Sequence, residues 1–352
     1  MDAVGRTNPL EATAMPSEIQ QMLMAYVGSQ ALLSGIELGV FDALADDGPL
    51  PLDVLARRLA LPPSSLQRLL TYLCARGLLE KRGAGYANSD AAATYLVSDR
   101  SAFLAGNARL VQDLYRLYTF LGDAIREDSN RWPQAFPGCD PAIFTALYRD
   151  PAALRGFLGG MATATGPVAA ELCAVFDFGA ARCLLDVGGA SAVLATTVLH
   201  AFPHLRGISF DLPVVAPFAQ EYAADAGLAE RLAVVSGDMF TDALPTGADV
   251  ITLSWIVHDW DETSALTVLR RCHAVLEPGG VVLVLEALLD EQGAGPIAAA
   301  ELSLTMLVAT QGGRERTAAE YGALLGAAGF VQWEVRRMQN AQERHCVVGW
   351  KA

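Results

Sequence analysis

Apolar residues recur at helical spacing between positions 18 and 33, where Ile19, Met22, Leu23, Tyr26 and Val27 form one stripe, and this predicts an amphipathic helix. Gly35 and Gly39 punctuate the chain next and predict a short helix ending near Ala45. The polar turn Asp46-Asp47-Gly48-Pro49 leads into a short helix over 51–59. After the Pro62-Pro63 break a second helix is expected over 64–73, with Ser64 or Ser65 as its N-cap. Positions 77–81 and 85–88 read as two short strands around a glycine turn. Helix, helix, hairpin is the order of a winged helix.

The pattern stays helical through 101–175, with breaks at Trp132-Pro133, Phe136-Pro137-Gly138 and Asp150-Pro151. From Ala181 the period changes. Short apolar runs at 183–187, 205–210, 232–235, 249–253 and 281–285 alternate with helical stretches, and two more fall at 331–335 and 344–348. Strands that are apolar on both faces and separated by helices build a largely parallel, doubly covered sheet. The last two strands lie close together in the chain and predict an antiparallel hairpin at the sheet edge. The fold class is therefore α/β, preceded by a mostly helical region.

At 352 residues the chain exceeds one core of usual size, so two domains are expected. Its formal net charge is −14, which repels a phosphate backbone and makes nucleic acid a poor partner. The helix of the winged segment that would enter a groove offers only Arg68 for base contacts, so a dimerisation or lid role suits it better than gene regulation. Six scattered cysteines without a CxxC read as free thiols of a reducing compartment, with no structural metal site. The first residues lack the order of a signal peptide, and no uninterrupted apolar stretch reaches the roughly 18 residues that span a bilayer. A cytoplasmic protein is expected.

The run Leu184-Leu185-Asp186-Val187-Gly188-Gly189-Ala190 takes a strand straight into a small-residue turn before a helix, so a ligand can approach the backbone there. The next strand ends in Asp211-Leu212, which puts a carboxylate where two ribose hydroxyls of an adenosine would be held. The third ends in Asp238-Met239-Phe240, a carboxylate for an adenine amino group beside a thioether to pack on the ring. These features suit NAD as well as S-adenosylmethionine.

Six stretches in order resemble the caffeate/isoflavone-type O-methyltransferase family, whose bacterial members modify phenolic and quinoid natural products. They are Leu185-Asp186-Val187-Gly188-Gly189, Phe210-Asp211-Leu212-Pro213, Gly237-Asp238-Met239-Phe240, Trp255-Ile256-Val257-His258-Asp259-Trp260, Leu276-Glu277-Pro278-Gly279-Gly280 and Gly312-Gly313-Arg314-Glu315-Arg316-Thr317. The resemblance covers nearly the whole chain. It implies a winged-helix dimerisation domain over 1–100, a helical linker and pocket region over 101–175, and a Rossmann-like class I methyltransferase domain over 176–352. It also implies bound S-adenosylmethionine, a small aromatic acceptor and a homodimer in which Met22 and Tyr26 reach the partner's pocket. Two departures stand out. The family turn continues Gly-Gly-Gly-x-Gly, whereas Ala190 and Ala192 stand here, and alanine reaches positive φ less cheaply. Ser254 occupies a position where plant members often carry a lysine near the cofactor, and it retains one hydrogen bond without the charge.

Methyl transfer to a phenol, whose pKa lies near ~10, needs a base at neutral pH. His258, just past the fourth strand, can supply a neutral imidazole. Such an imidazole wants a carboxylate on its other nitrogen, and Glu286 and Glu315 are both candidates. The resemblance makes Glu315 the orienting acid and Glu286 a second acid flanking the base. Asp259 reads as a cap for the helix beginning at Asp261-Glu262. Met161 and Met306 match family methionines that sandwich an aromatic ring, and Phe157, Trp255 and Leu307 would complete an apolar wall. Three activities remain open on the sequence: O-methylation, C-methylation of an activated phenol ring, and a non-methylating relative that binds cofactor or regulates through the winged helix.

Overall fold

The computed structural model describes residues 17–45, 48–98, 108–138, 144, 148, 151–340 and 343–352. Residues 1–17, which the sequence reads as a loose polar leader, lie outside them apart from Ser17, as do Cys139 and the Asp150 side of the third helical break. The chain divides between Ala105 and Gly106 into two compact units, so the helical stretch after 105 belongs with the α/β part.

In the first unit a helix spans Ser17–Glu37, running through Gly35 and past the expected end at Leu33. Gly39, at φ 70°, separates it from the short helix Val40–Ala43. Strand β1 (Leu50–Pro51) precedes the helices Leu52–Leu59 and Pro63–Ala75, and then come β2 (Leu79–Arg82) and β3 (Gly85–Asn88). The three strands are antiparallel in the order β1-β3-β2. The expected serine cap is absent. Pro62 is the N-cap and Pro63 the first helical residue, where a missing N–H costs nothing, so the serines fall inside the first turn and Ser65 Oγ donates to Pro62 O at 3.1 Å. Leu55, Leu66, Leu70, Leu73 and Tyr86 close a core of their own. The apolar face left in solvent belongs to the first helix, where Met22 is 78% exposed and Leu23 60%.

The second unit opens with the helices Ala108–Tyr118, Leu121–Glu127, Trp132–Ala135 and Pro151–Val175. Its strands are β4 (Cys183–Val187), β5 (Arg206–Asp211), β6 (Leu232–Ser236), β7 (Ala248–Ser254), β8 (Leu276–Leu289), β9 (Arg316–Thr317), β10 (Gln332–Arg336) and β11 (Arg344–Trp350). They order as β10-β11-β8-β7-β4-β5-β6, with β9 beside the far end of β8. β6, β5, β4, β7 and β8 run parallel, while β11 is antiparallel to both β8 and β10. The hairpin is thus present, with its second strand next to β8 and its first at the edge.

Alternation along each strand divides the core between the two faces. Leu184, Leu283 and Leu285 pack on one side, and Leu185, Val282 and Val284 on the other. Chain order reverses between β4 and β7, and at such a switch point the carboxyl ends of the strands open to a ligand. Among the described residues one helix, Ala153–Val175, is long and apolar enough to cross a membrane, although Arg155 and Glu171 keep its uninterrupted apolar stretch below the roughly 18 residues expected of a span. Its own packing accounts for that composition: Val168, Ala169 and Leu172 enter the core, while Phe157, Met161 and Thr165 line a cavity on the same unit.

Candidate active site

The carboxyl ends of β4–β7 and the helices Pro151–Val175 and Ile297–Ala309 enclose a cavity of about 490 Å³. Asp186 is the next-to-last residue of β4 and is buried between Ser209 of β5 and Thr252 of β7. Thr252 Oγ donates to its Oδ1 at 2.6 Å, Oδ2 has no partner among the described residues, and burial pushes the carboxyl up to about 6. The turn beyond it is built for close approach. Gly188 sits at φ 72°, and a Cβ there would lie 2.2 Å from Ile256 Cδ1. Ala190 and Ala192, in place of the family's glycines, adopt the same left-handed region at φ 50° and 63°. The chain therefore keeps the turn and accepts a cost of roughly 1–2 kcal/mol at each alanine.

One of the turn's supports is Asp211, at the end of β5. Its Oδ2 accepts from the Ala190 N–H at 2.8 Å and its Oδ1 from the Leu212 N–H at 2.7 Å, so both oxygens are fixed in place with lone pairs left over. Burial raises this carboxyl above the usual range. After β6, Asp238 Oδ1 accepts from the Phe240 N–H at 2.8 Å, and the Phe240 ring packs edge-on against Trp260 at 4.6 Å. Asp186, Gly188, Gly189, Asp211, Leu212, Asp238, Met239, Phe240 and Ser254 all line the cavity. Ser254 Oγ has a partner that its sequence context did not suggest: it accepts a hydrogen bond from Arg344 Nη2. Arg344 is fully buried and its guanidinium lies 4.3 Å over the Trp255 ring.

His258 belongs to the tight turn Val257–Asp259 beyond β7 and is 4% exposed. Its Nδ1 stands 2.5 Å from Glu315 Oε1 and 3.7 Å from Glu286 Oε2, and its Nε2 stands 3.5 Å from Asp259 Oδ1. The imidazole stacks against Trp255 with ring centres 6.2 Å apart. Burial is the largest influence on its pKa and pulls it down. Glu286, Glu315 and Asp259 together outweigh burial and take it up to about 10. Burial likewise lifts Glu286 to about 7 and Asp259 to about 6.

Two sequence readings change here. Asp261, not Asp259, caps the following helix, accepting from the Ser264 N–H at 2.7 Å, and Asp259 faces the imidazole instead. Glu286 acts mainly on the backbone: its Oε1 accepts from the N–H groups of Ile256, Val257 and His258 at 3.0, 2.9 and 3.4 Å. The three residues His258, Glu286 and Glu315 bring donor atoms within 4.8 Å of one another. Two ligands on one zinc ion at about 2.0–2.1 Å each would stand some ~3.3 Å apart in tetrahedral geometry. The 2.5 Å between Nδ1 and Oε1 instead suits a shared proton.

Phe157, Met161, Trp255 and Met306 line the other part of the cavity, together with Phe144 and Tyr148. Leu307 does not. It packs beside Leu117, Trp132 and Val308, because it is adjacent to Met306 on a helix and points to another side. Phe144, Tyr148, Asp259, Arg316 and Arg344 were missed as site residues. The hydrophobic periodicity that locates elements carries no signal for a charged residue inside one.

The O-methyltransferase domain family matches residues 118–331, and the O-methyltransferase dimerisation domain family matches residues 20–98. The chain is 36% identical over 318 residues to the tetracenomycin polyketide synthesis 8-O-methyl transferase TcmO of Streptomyces glaucescens, covering 90% of this chain and 91% of that one. Among solved structures, PigF with SAH superposes with a TM-score of 0.88 at 31% identity, over 96% of this chain and 100% of that one. Human N-acetylserotonin methyltransferase in complex with SAM does so with a TM-score of 0.87 at 28% identity, over 98% and 100%. These relatives span natural-product and acetylserotonin enzymes, a wider group than the caffeate/isoflavone type. Within the matched dimerisation domain Met22 and Leu23 are exposed, whereas Leu66 and Leu73 are interior. The chain belongs to the O-methyltransferase family, as an S-adenosylmethionine-dependent class I methyltransferase that forms a homodimer through its N-terminal domain.

Proposed function

We propose that this enzyme methylates a hydroxyl of a flat aromatic, polyketide-like acceptor, with His258 removing the hydroxyl proton. The observation that carries this reading is the buried His258–Glu315 pair opening on a cavity walled by Phe157, Met161, Trp255 and Met306. The residues present fit S-adenosylmethionine: the turn at Gly188 leaves no room for a Cβ, and Asp186 Oδ2 is buried without a partner among the described residues. Bound there, the cofactor supplies an electrophilic methyl group on a sulfonium. Asp211 and Leu212 take the ribose, Asp238, Met239 and Phe240 the adenine, and Asp186, Gly188, Gly189 and Ser254 the methionine end. Methionine and aromatic side chains suit a planar acceptor because they adapt to ring edges and faces. Glu315 holds Nδ1, so that Nε2 is the nitrogen left to accept a proton.

Relatives named for acting on polyketide and naphthoate compounds support the acceptor class. The helix–helix–hairpin of the first unit is a winged helix serving dimerisation, supported by the net charge of −14 and the lone Arg68 on its second helix. The test is incubation with S-adenosylmethionine and a panel of polycyclic phenols, with products read by mass and NMR. An O-methyl product is expected. A new C-methyl signal, or no product with any phenol, overturns the reading.

Asp211→Ala is expected to weaken cofactor binding at least about tenfold, since charge-assisted hydrogen bonds worth roughly 1.5–3 kcal/mol are lost. The chemical step should change less. Calorimetric titration with S-adenosylhomocysteine checks this, and an unaltered affinity would show that the ribose is held elsewhere.

A further inference from the structure

The turn that carries His258 is irregular, so its backbone groups find no ladder partners and must be met by other means. Trp255 enters it at φ 55°, a strained value for a bulky residue. Glu286 meets its N–H groups, as described above. Its carbonyls are met from the opposite side. Arg316 Nη1 donates to Val257 O at 3.0 Å, Arg316 Nη2 to Trp260 O at 2.8 Å, and the Arg314 N–H to His258 O at 2.8 Å. Arg316 is 1% exposed, and among the described residues no carboxylate forms an ion pair with it. Its charge is therefore directed at carbonyls, those of Val257 and Trp260 that bracket His258 and Asp259, and that of Arg314 at 3.3 Å. The anchor is firm, because β9 pairs with β8 and sets Arg316 opposite Leu288, two residues beyond Glu286.

We propose that Arg316 is a positioning residue whose guanidinium fork, acting with Glu286 Oε1, clamps the His258 turn so that Nδ1 meets Glu315 while the ring stays at the cavity. A planar fork fixes two carbonyls in a set direction and spacing, whereas an ammonium on a flexible stem is a point donor that does not impose that geometry. Misplacement by an ångström is enough to cost about a hundredfold in rate. The proposal rests on His258 being the base, and its test separates the two.

Arg316→Lys keeps the charge without the fork, and Arg316→Met keeps the stem alone. Four quantities are measured on the full-length dimer: S-adenosylhomocysteine affinity, thermal stability, single-turnover methyl transfer, and the low-field proton resonance of the His258 Nδ1–H, assigned by its loss in His258→Gln. Both variants are expected to bind the ligand within about threefold of wild type. The rate should fall roughly 10- to 100-fold, least for Lys, and the resonance should move upfield as the short hydrogen bond loosens. An unchanged rate with an unchanged resonance overturns the clamp. So does a loss of ligand affinity and thermal stability while the resonance stays put, which would mark a merely structural arginine. If Arg316→Met does not fold, Arg316→Lys decides by the same criteria. Full activity of His258→Gln would refute the base while leaving the resonance in the arginine variants to report on the clamp.

Discussion

Replacing His258 with Gln is expected to lower the methyl-transfer rate by roughly 10²–10⁴, the usual contribution of a positioned general base, while S-adenosylhomocysteine still binds. The loss should depend on the acceptor. A phenol near pKa ~10 needs its proton removed, whereas a more acidic one arrives partly ionised and needs less help. Single-turnover rates of wild type and variant against phenols spanning several pKa units give the measurement. Equal impairment on every acceptor would mean that His258 places the substrate and does not take its proton. No impairment would leave proximity and alignment to carry the reaction.

The proton balance of the site gives this prediction a pH signature. Burial lowers the imidazole pKa, but Glu286, Glu315 and Asp259 outweigh it and lift the group to about 10. A base whose pKa is raised stays protonated further into the alkaline range. The wild-type rate should therefore climb with pH through a midpoint well above the ordinary ~6.5 of histidine. In His258→Gln that limb should vanish, leaving the ionisation of the acceptor itself.

Most of this architecture is legible from the residue pattern, and the failures have physical causes. The apolar runs from Cys183 to Val187 and from Val281 to Leu285 locate their strands because both faces are covered and alternation disappears, whereas β6 at the sheet edge leaves Val235 exposed. β8 begins at Leu276, five residues ahead of the apolar run, because Pro278-Gly279-Gly280 reads as a turn and forms an irregularity in the pairing with β7, on both sides of which Leu276 and Val281 meet Ala248 and Val250. The two-residue strands β1 and β9 carry too few residues for any period to show. In the site, His258 and Glu286 were visible as ionisable groups at the ends of apolar segments, and Glu315 only through the family resemblance. What each touches was not. Asp259 and Asp261 stand equally near a helix start, and only the backbone path decides that one caps the helix and the other faces the imidazole. Arg316 and Arg344 resembled ordinary surface charges, yet one binds carbonyls and the other lies over Trp255.

Glu315 carries the second large expected effect. Glu315→Gln retains an oxygen that can accept from Nδ1 but removes the charge, and Glu315→Ala removes both. The limiting rate of the Ala variant should fall by on the order of 10² or more, because the hydrogen bond that orients Nδ1 is lost together with one of the charges that stabilise the ring as it charges. The Gln variant should lose less. The pH profile separates this role from a loss of packing. Glu315 is among the carboxylates that raise the His258 pKa against the opposing effect of burial, so removing its charge must lower that pKa. Both variants should become half-active at a lower pH than wild type, even as their plateau rates fall. At acid pH the deficit of the Gln variant should shrink accordingly, since more of its histidine is neutral there. A midpoint that stays put, or moves to higher pH, would show that Glu315 does not bear on the His258 proton, and the 2.5 Å contact would then be an orienting one alone.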